Sequence, residues 1–113
     1  MALLAACTDL VAALDGGGIA ADLERSKVPT PGAWVTPAQI TELSLGGGGV
    51  ATVDVVLVVA ATGEANELAA LSGLLTQLLT LDVAITGPID TQYALVLTGG
   101  PLPAWRVPVT LHF

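Results

Sequence analysis

A chain of 113 residues, 53% hydrophobic and only 12% charged, has the length of one domain, and a domain of that size hides only about two-thirds of its unfolded surface. Its net charge of −7, with ten acidic residues against Arg25, Lys27 and Arg106, excludes the basic footprint of sequence-independent nucleic-acid binding and disfavours an anionic membrane surface. The mean hydropathy of +0.79 exceeds what so small a monomer can bury, so the composition predicts an oligomer in which other chains cover the surplus.

In chain order, Leu3, Leu4, Cys7, Leu10, Val11 and Leu14 recur at helical spacing and predict an amphipathic helix over Ala2 to Leu14. Asp15-Gly16-Gly17-Gly18 stops it, glycine being the usual residue beyond a helix C-terminus. Leu4-Ala5-Ala6-Cys7 has the form of a lipidation box, but no basic segment stands before it, so Cys7 reads as a small core residue on the helix. One cysteine allows no internal disulfide.

Ile19 to Leu23 reads as a short strand or an extension. Pro29, Pro31 and Pro37 then hold an extended path, within which Gly32 to Thr36 suits an edge strand that Pro37 ends. Ile40 to Leu45 alternates apolar and polar residues and predicts a further strand, its first residues being also compatible with a helix. Gly46 to Gly49 leads into a strand and is followed by no Lys-Ser/Thr pair, so it reads as a hairpin tip and not as a phosphate-cradling loop.

Val50 to Leu81 is the spine of the pattern. Val50 to Ala60 is rich in β-branched residues and predicts a long strand. Val53, Val55, Leu57 and Val59 form one face; Thr52, Asp54, Val56, Val58 and Ala60 form the other. Its second half is apolar on both sides, which calls for a layer over each: the helix that follows can cover one, and the first helix or a neighbouring subunit the other. Glu64 to Leu81 predicts a helix with Thr62 as N-cap, Glu64 and Glu67 in its first turn, and a stripe of Leu68, Leu71, Leu75 and Leu78 widened by Leu74, Leu79 and Leu81.

Val83 to Ile85 begins a strand that Gly87-Pro88 ends. The last third reads as a hairpin, Tyr93 to Thr98 and Ala104 to Phe113, with Gly99-Gly100-Pro101 in the turn. Trp105, Val107, Val109, Leu111 and Phe113 face one way in the second arm, and Pro108 marks it as an edge or a bulged strand.

The residues name no chemistry. His112 is the only histidine and there is no cysteine pair, so neither a nucleophile–base pair nor a zinc site of the usual N/S type assembles from one chain. Asp22 with Glu24, and Glu64 with Glu67, are the nearest carboxylate pairs, and a solvated face or a helix start accounts for both. The expectation is a protein without catalytic residues, cofactor or metal.

The order of elements carries a resemblance. Together with the Leu3 to Leu14 stripe, Lys27-Val28-Pro29-Thr30-Pro31-Gly32-Ala33-Trp34-Val35 and Pro103-Ala104-Trp105-Arg106-Val107-Pro108-Val109-Thr110-Leu111, the Val50 to Leu81 unit resembles the tail terminator (tail completion) proteins of long-tailed bacteriophages. The short versions in phages of actinobacteria share its Ala/Gly/Val-rich, Lys-poor composition. The resemblance implies a single α+β domain over residues 1–113, a mixed or antiparallel sheet packed by two helices. It also implies a homo-hexameric ring in the virion neck, between the tail-tube protein and the head-completion proteins, with DNA passing through its lumen. On that basis Asp22, Glu24, Glu42, Asp54 and Asp90 are expected to line the lumen. Trp34, Gly47, Gly48, Val56, Val58 and Arg106 are expected at subunit or ring contacts, with the Gly46 to Gly49 tip and the Pro29 to Pro37 segment against neighbouring rings. The alternatives are another neck or tail structural protein, such as a head-closure or tail-tube subunit, and a dimeric ligand-binding α+β module with an apolar pocket.

Overall fold

The computed structural model describes residues 2–43, 46, 48–81, 83–97 and 100–113. Helix α1 (Ala2–Gly16) buries Leu3, Cys7, Leu10 and Leu14 as one stripe, whereas Leu4, expected on the same face, is 60% exposed. The glycines end it as the sequence suggests. Gly18 takes φ +91°, the Ile19 N–H donates to the Leu14 carbonyl at 2.9 Å and the Gly18 N–H to that of Asp15 at 3.2 Å. Leu14 and Ile19, the two residues this cap brings together, belong to the same buried core cluster, the apolar contact that usually accompanies it.

Strand β1 (Ala21–Asp22) pairs in parallel with β2 (Gly32–Leu43), after a single 3-10 turn over Arg25–Lys27. Contrary to the sequence expectation, Pro37 does not end a strand: the two segments around it form one 12-residue strand. β1 flanks only Ala33 and Trp34, so β2 has an open edge from Val35 onward, where a proline is tolerated. The register shifts between Pro37 and Gln39 and between Ile40 and Glu42 are the irregularities by which such an edge discourages stray pairing.

Strand β3 (Gly49–Val58) lies between β2 and the last strand, β6 (Gly100–His112), antiparallel to both. The remaining strands, β4 (Ala84–Ile85) and β5 (Asp90–Leu97), both pair with the other side of β6. The result is a mixed six-stranded sheet of order β1-β2-β3-β6-β4, with β5 also on β6. The final arm is therefore interior, not an edge. Pro108 is accommodated because β5 reaches only to Arg106 and β4 begins at Val109. Its carbonyl accepts the Thr86 N–H at 3.0 Å on the side away from β3, and its absent N–H points into the same gap, since both groups of a strand residue project to one side.

The fold is of the α+β class the sequence predicts, with both helices on one face of the sheet. Ala51, Val53, Val55, Leu57 and Val59 lie beside Val107 and Val109 of β6 on the same face and pack against Leu10, Leu14, Leu71, Leu74 and Leu78 of the helices. In α2 (Glu64–Thr80) the buried stripe is Leu71, Leu74 and Leu78, while Leu68 and Leu79 face solvent. The cap also differs from expectation. The N-cap is Gly63, and the Glu67 carboxylate reaches back to accept the N–H groups of Thr62 at 3.1 Å and Gly63 at 2.9 Å. A carboxylate there satisfies free donors and meets the positive end of the helix dipole, which leaves Thr62 no capping role.

The second face of β3 is closed within the chain. Val56 and Val58 are buried in a smaller cluster with Val28, Leu95 and Ala104, flanked by Trp34, Tyr93 and Leu102. The expectation that the first helix or a neighbouring subunit covers this face is corrected by this: both helices lie on the other face, and Val28, together with Leu95 of β5 and Ala104 of β6, buries Val56 and Val58 within the chain.

Candidate functional site

Residues directly opposite one another in a sheet point to the same face, so the register shows what gathers on the side away from the helices. Asp22 stands opposite Trp34, Trp34 opposite Val56, Val56 opposite Arg106 and Arg106 opposite Asp90, a row that crosses five strands. The next row is Thr36, Asp54 and Pro108, then Gln39, Thr52 and Thr110, then Glu42, Val50 and His112. Four residues distant in sequence, Asp22, Glu42, Asp54 and Asp90, thus share one face.

One cation stands among them. The Arg106 guanidinium lies 3.7 Å from the Asp90 carboxylate, with both side chains substantially exposed, and 5.5 Å from the centre of the Tyr93 ring. An exposed pair at that distance is worth under about 1 kcal/mol and mainly fixes where the guanidinium sits. Asp54 is half-buried between Thr36 and Pro108; its desolvation pushes the carboxyl pKa up, and the positive charge of Arg106 partly opposes that rise. The other aspartates also hold local turns. Asp22 accepts the Glu24 N–H at 2.9 Å and Asp90 the Gln92 N–H at 3.0 Å, as aspartates do in Asx turns.

The remaining expected site residues are placed as follows. Glu24 lies beyond the end of β1, exposed and 3.4 Å from Lys27. Trp34 is half-buried and donates its indole N–H to the Leu23 carbonyl at 3.1 Å. Trp34 and Arg106, expected at contacts with other chains, stand in the same row as the acidic residues expected in the lumen. Gly48 is half-buried beside an open groove of Thr41, Glu42, Leu43 and Val50; Gly47 lies outside the described residues. Tyr93 and the line of Thr36, Thr52 and Thr110 were not singled out from the sequence. The alternation in their strands already placed Thr52 with Asp54, and strand pairing supplies the rest.

Among the described residues no cluster of three or more His, Cys, Asp or Glu side chains is arranged to hold a metal, and none of the helices is long and apolar enough to cross a membrane. Cys7 is buried and its thiol pKa is pushed up by that burial, the state of an unreactive core residue. An apolar hollow of about 220 Å³ lies beside it, lined by Leu3, Leu4, Leu23, Val35 and Pro37, smaller than the roughly 300 Å³ at which ligand pockets usually begin.

These features define a two-layer α+β protein with two helices on one side of a mixed sheet and an acidic, threonine-lined face on the other. No protein-family model matches the chain, nor does any curated protein or any solved structure.

Proposed function

We propose that this chain is a structural protein of a bacteriophage virion, the tail terminator that caps the tail tube as a homo-hexameric ring and joins it to the head-completion proteins of the neck. The observation that supports this reading is the gathering of Asp22, Glu42, Asp54 and Asp90 on the helix-free sheet face. Turned toward a lumen, such a face repels phosphate and lets DNA slide without sticking, because its carboxylates outnumber its one cation, Arg106, which Asp90 offsets. Arg106 lies on that face beside Asp90 and Tyr93. The helical layer then forms the outer wall. The Pro29 to Pro37 segment and the tip of the β2–β3 hairpin contact the rings above and below.

The test is negative-stain imaging of particles assembled without this protein. Tails of uncontrolled length, or tails detached from heads, are the expected result; normal virions reject the proposal. A structure of the assembled particle with the acidic face on the outer wall would reject the lumen assignment alone.

A further inference from the structure

Of the three cations in the chain, two stand beside carboxylates within their own subunit, Lys27 beside Glu24 and Arg106 beside Asp90. Arg25 is exposed in the 3-10 turn that follows β1, and no carboxylate among the described residues lies within ion-pair distance of it. At the other flank of the sheet a cleft of about 290 Å³ opens between the start of α2 and the β5–β6 hairpin. Tyr93, Trp105 and Pro103 line it, and Glu64, Glu67 and Leu68 stand at the α2 side; Arg106 lies over one face of the Tyr93 ring, beside Asp90 and outside the lining. Glu67 uses one carboxylate oxygen on the backbone of Thr62 and Gly63. Glu64 is exposed with no hydrogen-bond partner among the described residues, and Leu68 is 56% exposed.

We infer that Arg25 of one copy docks into the Glu64–Tyr93–Trp105 cleft of the next copy, and that this contact joins subunits head to tail. The inference rests on the ring reading above. β1 opens the strand order and β5 lies beyond β6, so cation and cleft are on opposite flanks of one chain. A contact between two different patches of identical chains is heterologous, the kind that forms a ring when its rotation closes and a filament when it does not. Copies that each carry a charge of −7 repel one another, and a cation set against an anion at their contact offsets that repulsion. Arginine fits this cleft better than lysine would: its planar guanidinium stacks on aromatic rings and forks onto carboxylates. Its aliphatic stem covers an exposed leucine such as Leu68.

The experiment is a charge swap read by sedimentation, with far-ultraviolet circular dichroism as the check on folding. Arg25→Glu and Glu64→Arg each leave the fold intact and raise the concentration needed for ring formation by about tenfold or more. Arg25→Glu combined with Glu64→Arg restores assembly, because the pair is re-formed with its charges exchanged. Glu64 is chosen over Glu67 because the latter caps α2. Wild-type rings indifferent to both single substitutions, or a double variant that does not recover, overturn this contact and leave the ring reading standing. A wild type that stays monomeric at high concentration removes both.

Discussion

Asp54 shows how a single side chain ties the chemistry of the sheet face to stability. Its folded pKa lies above the ordinary value because burial disfavours the charged form. The folded state therefore holds the proton more tightly than the unfolded state. Stability from this group is greatest below the unfolded pKa of about 3.9 and is lost as pH rises through the higher folded value. Asp54→Asn is expected to stabilise the protein at pH 7, by less than about 1 kcal/mol for a partly solvated group. Melting temperatures measured between pH 3 and 7 should show the gain shrinking toward the acid end; a gain that grows on acidification contradicts the sign. Gly49 is a second such residue. A β-carbon there would press on the Glu42 carbonyl oxygen and lie 2.8 Å from the Phe113 ring. The strand passes between two neighbours at this point, with Gly49 and Phe113 exchanging backbone hydrogen bonds at 2.7 and 3.0 Å. Gly49→Ala should cost roughly 1–3 kcal/mol in denaturant unfolding, as overpacking does.

At the scale of elements, the start of α2 separates two capping schemes. If the Glu67 carboxylate holds the first turn, Glu67→Ala costs about 1 kcal/mol while Thr62→Ala changes little; the opposite ranking in thermal unfolding would restore Thr62 as the cap. The central strand makes a second distinction. Val56 and Val58 are covered by the chain's own Val28, Leu95 and Ala104, so their substitution acts on folding before assembly. Val58→Ala is expected to cost about 2 kcal/mol, and Val58→Asp to unfold the domain, since a buried unpaired carboxylate has no partner there. A folded Val58→Asp protein defective only in oligomer formation would put that face back at a subunit contact. Strand β2 shows the limit of local reading: Pro37 and the two register shifts suggest an interruption, but they mark an edge that β1 covers at only two residues.

At the scale of the whole molecule, helices on one side and carboxylates on the other make the protein two-faced, and the proposed ring uses both faces. Replacing Asp22, Glu42, Asp54 and Asp90 together by their amides removes four negative charges, leaving −7 + 4 = −3 for the chain. Rings so altered are expected to retain duplex DNA at low ionic strength more than the parent does, with the difference vanishing as salt is raised. Equal retention by both at low salt would count against an electrostatic role for this face.

The sequence by itself determined the element types and most of their positions, because period, β-branching and glycine act over a few residues. The α1 stripe and its glycine cap, the long valine strand, the α2 helix and the two faces of β6 were all legible. The five carboxylates were legible as residues, although Glu24 lies beyond the end of β1 and takes no place in the strand register. Their common location was not. Asp22, Glu42, Asp54 and Asp90 come from four strands, and only pairing register, set by contacts between residues far apart in the chain, places them on one face. The same cause decided which layer closes over Val56 and Val58, why Pro108 fits in an interior strand, and why Leu4, Leu68 and Leu79 face solvent. Local pattern says that a residue wants cover, but only the tertiary structure decides which part of the chain provides it.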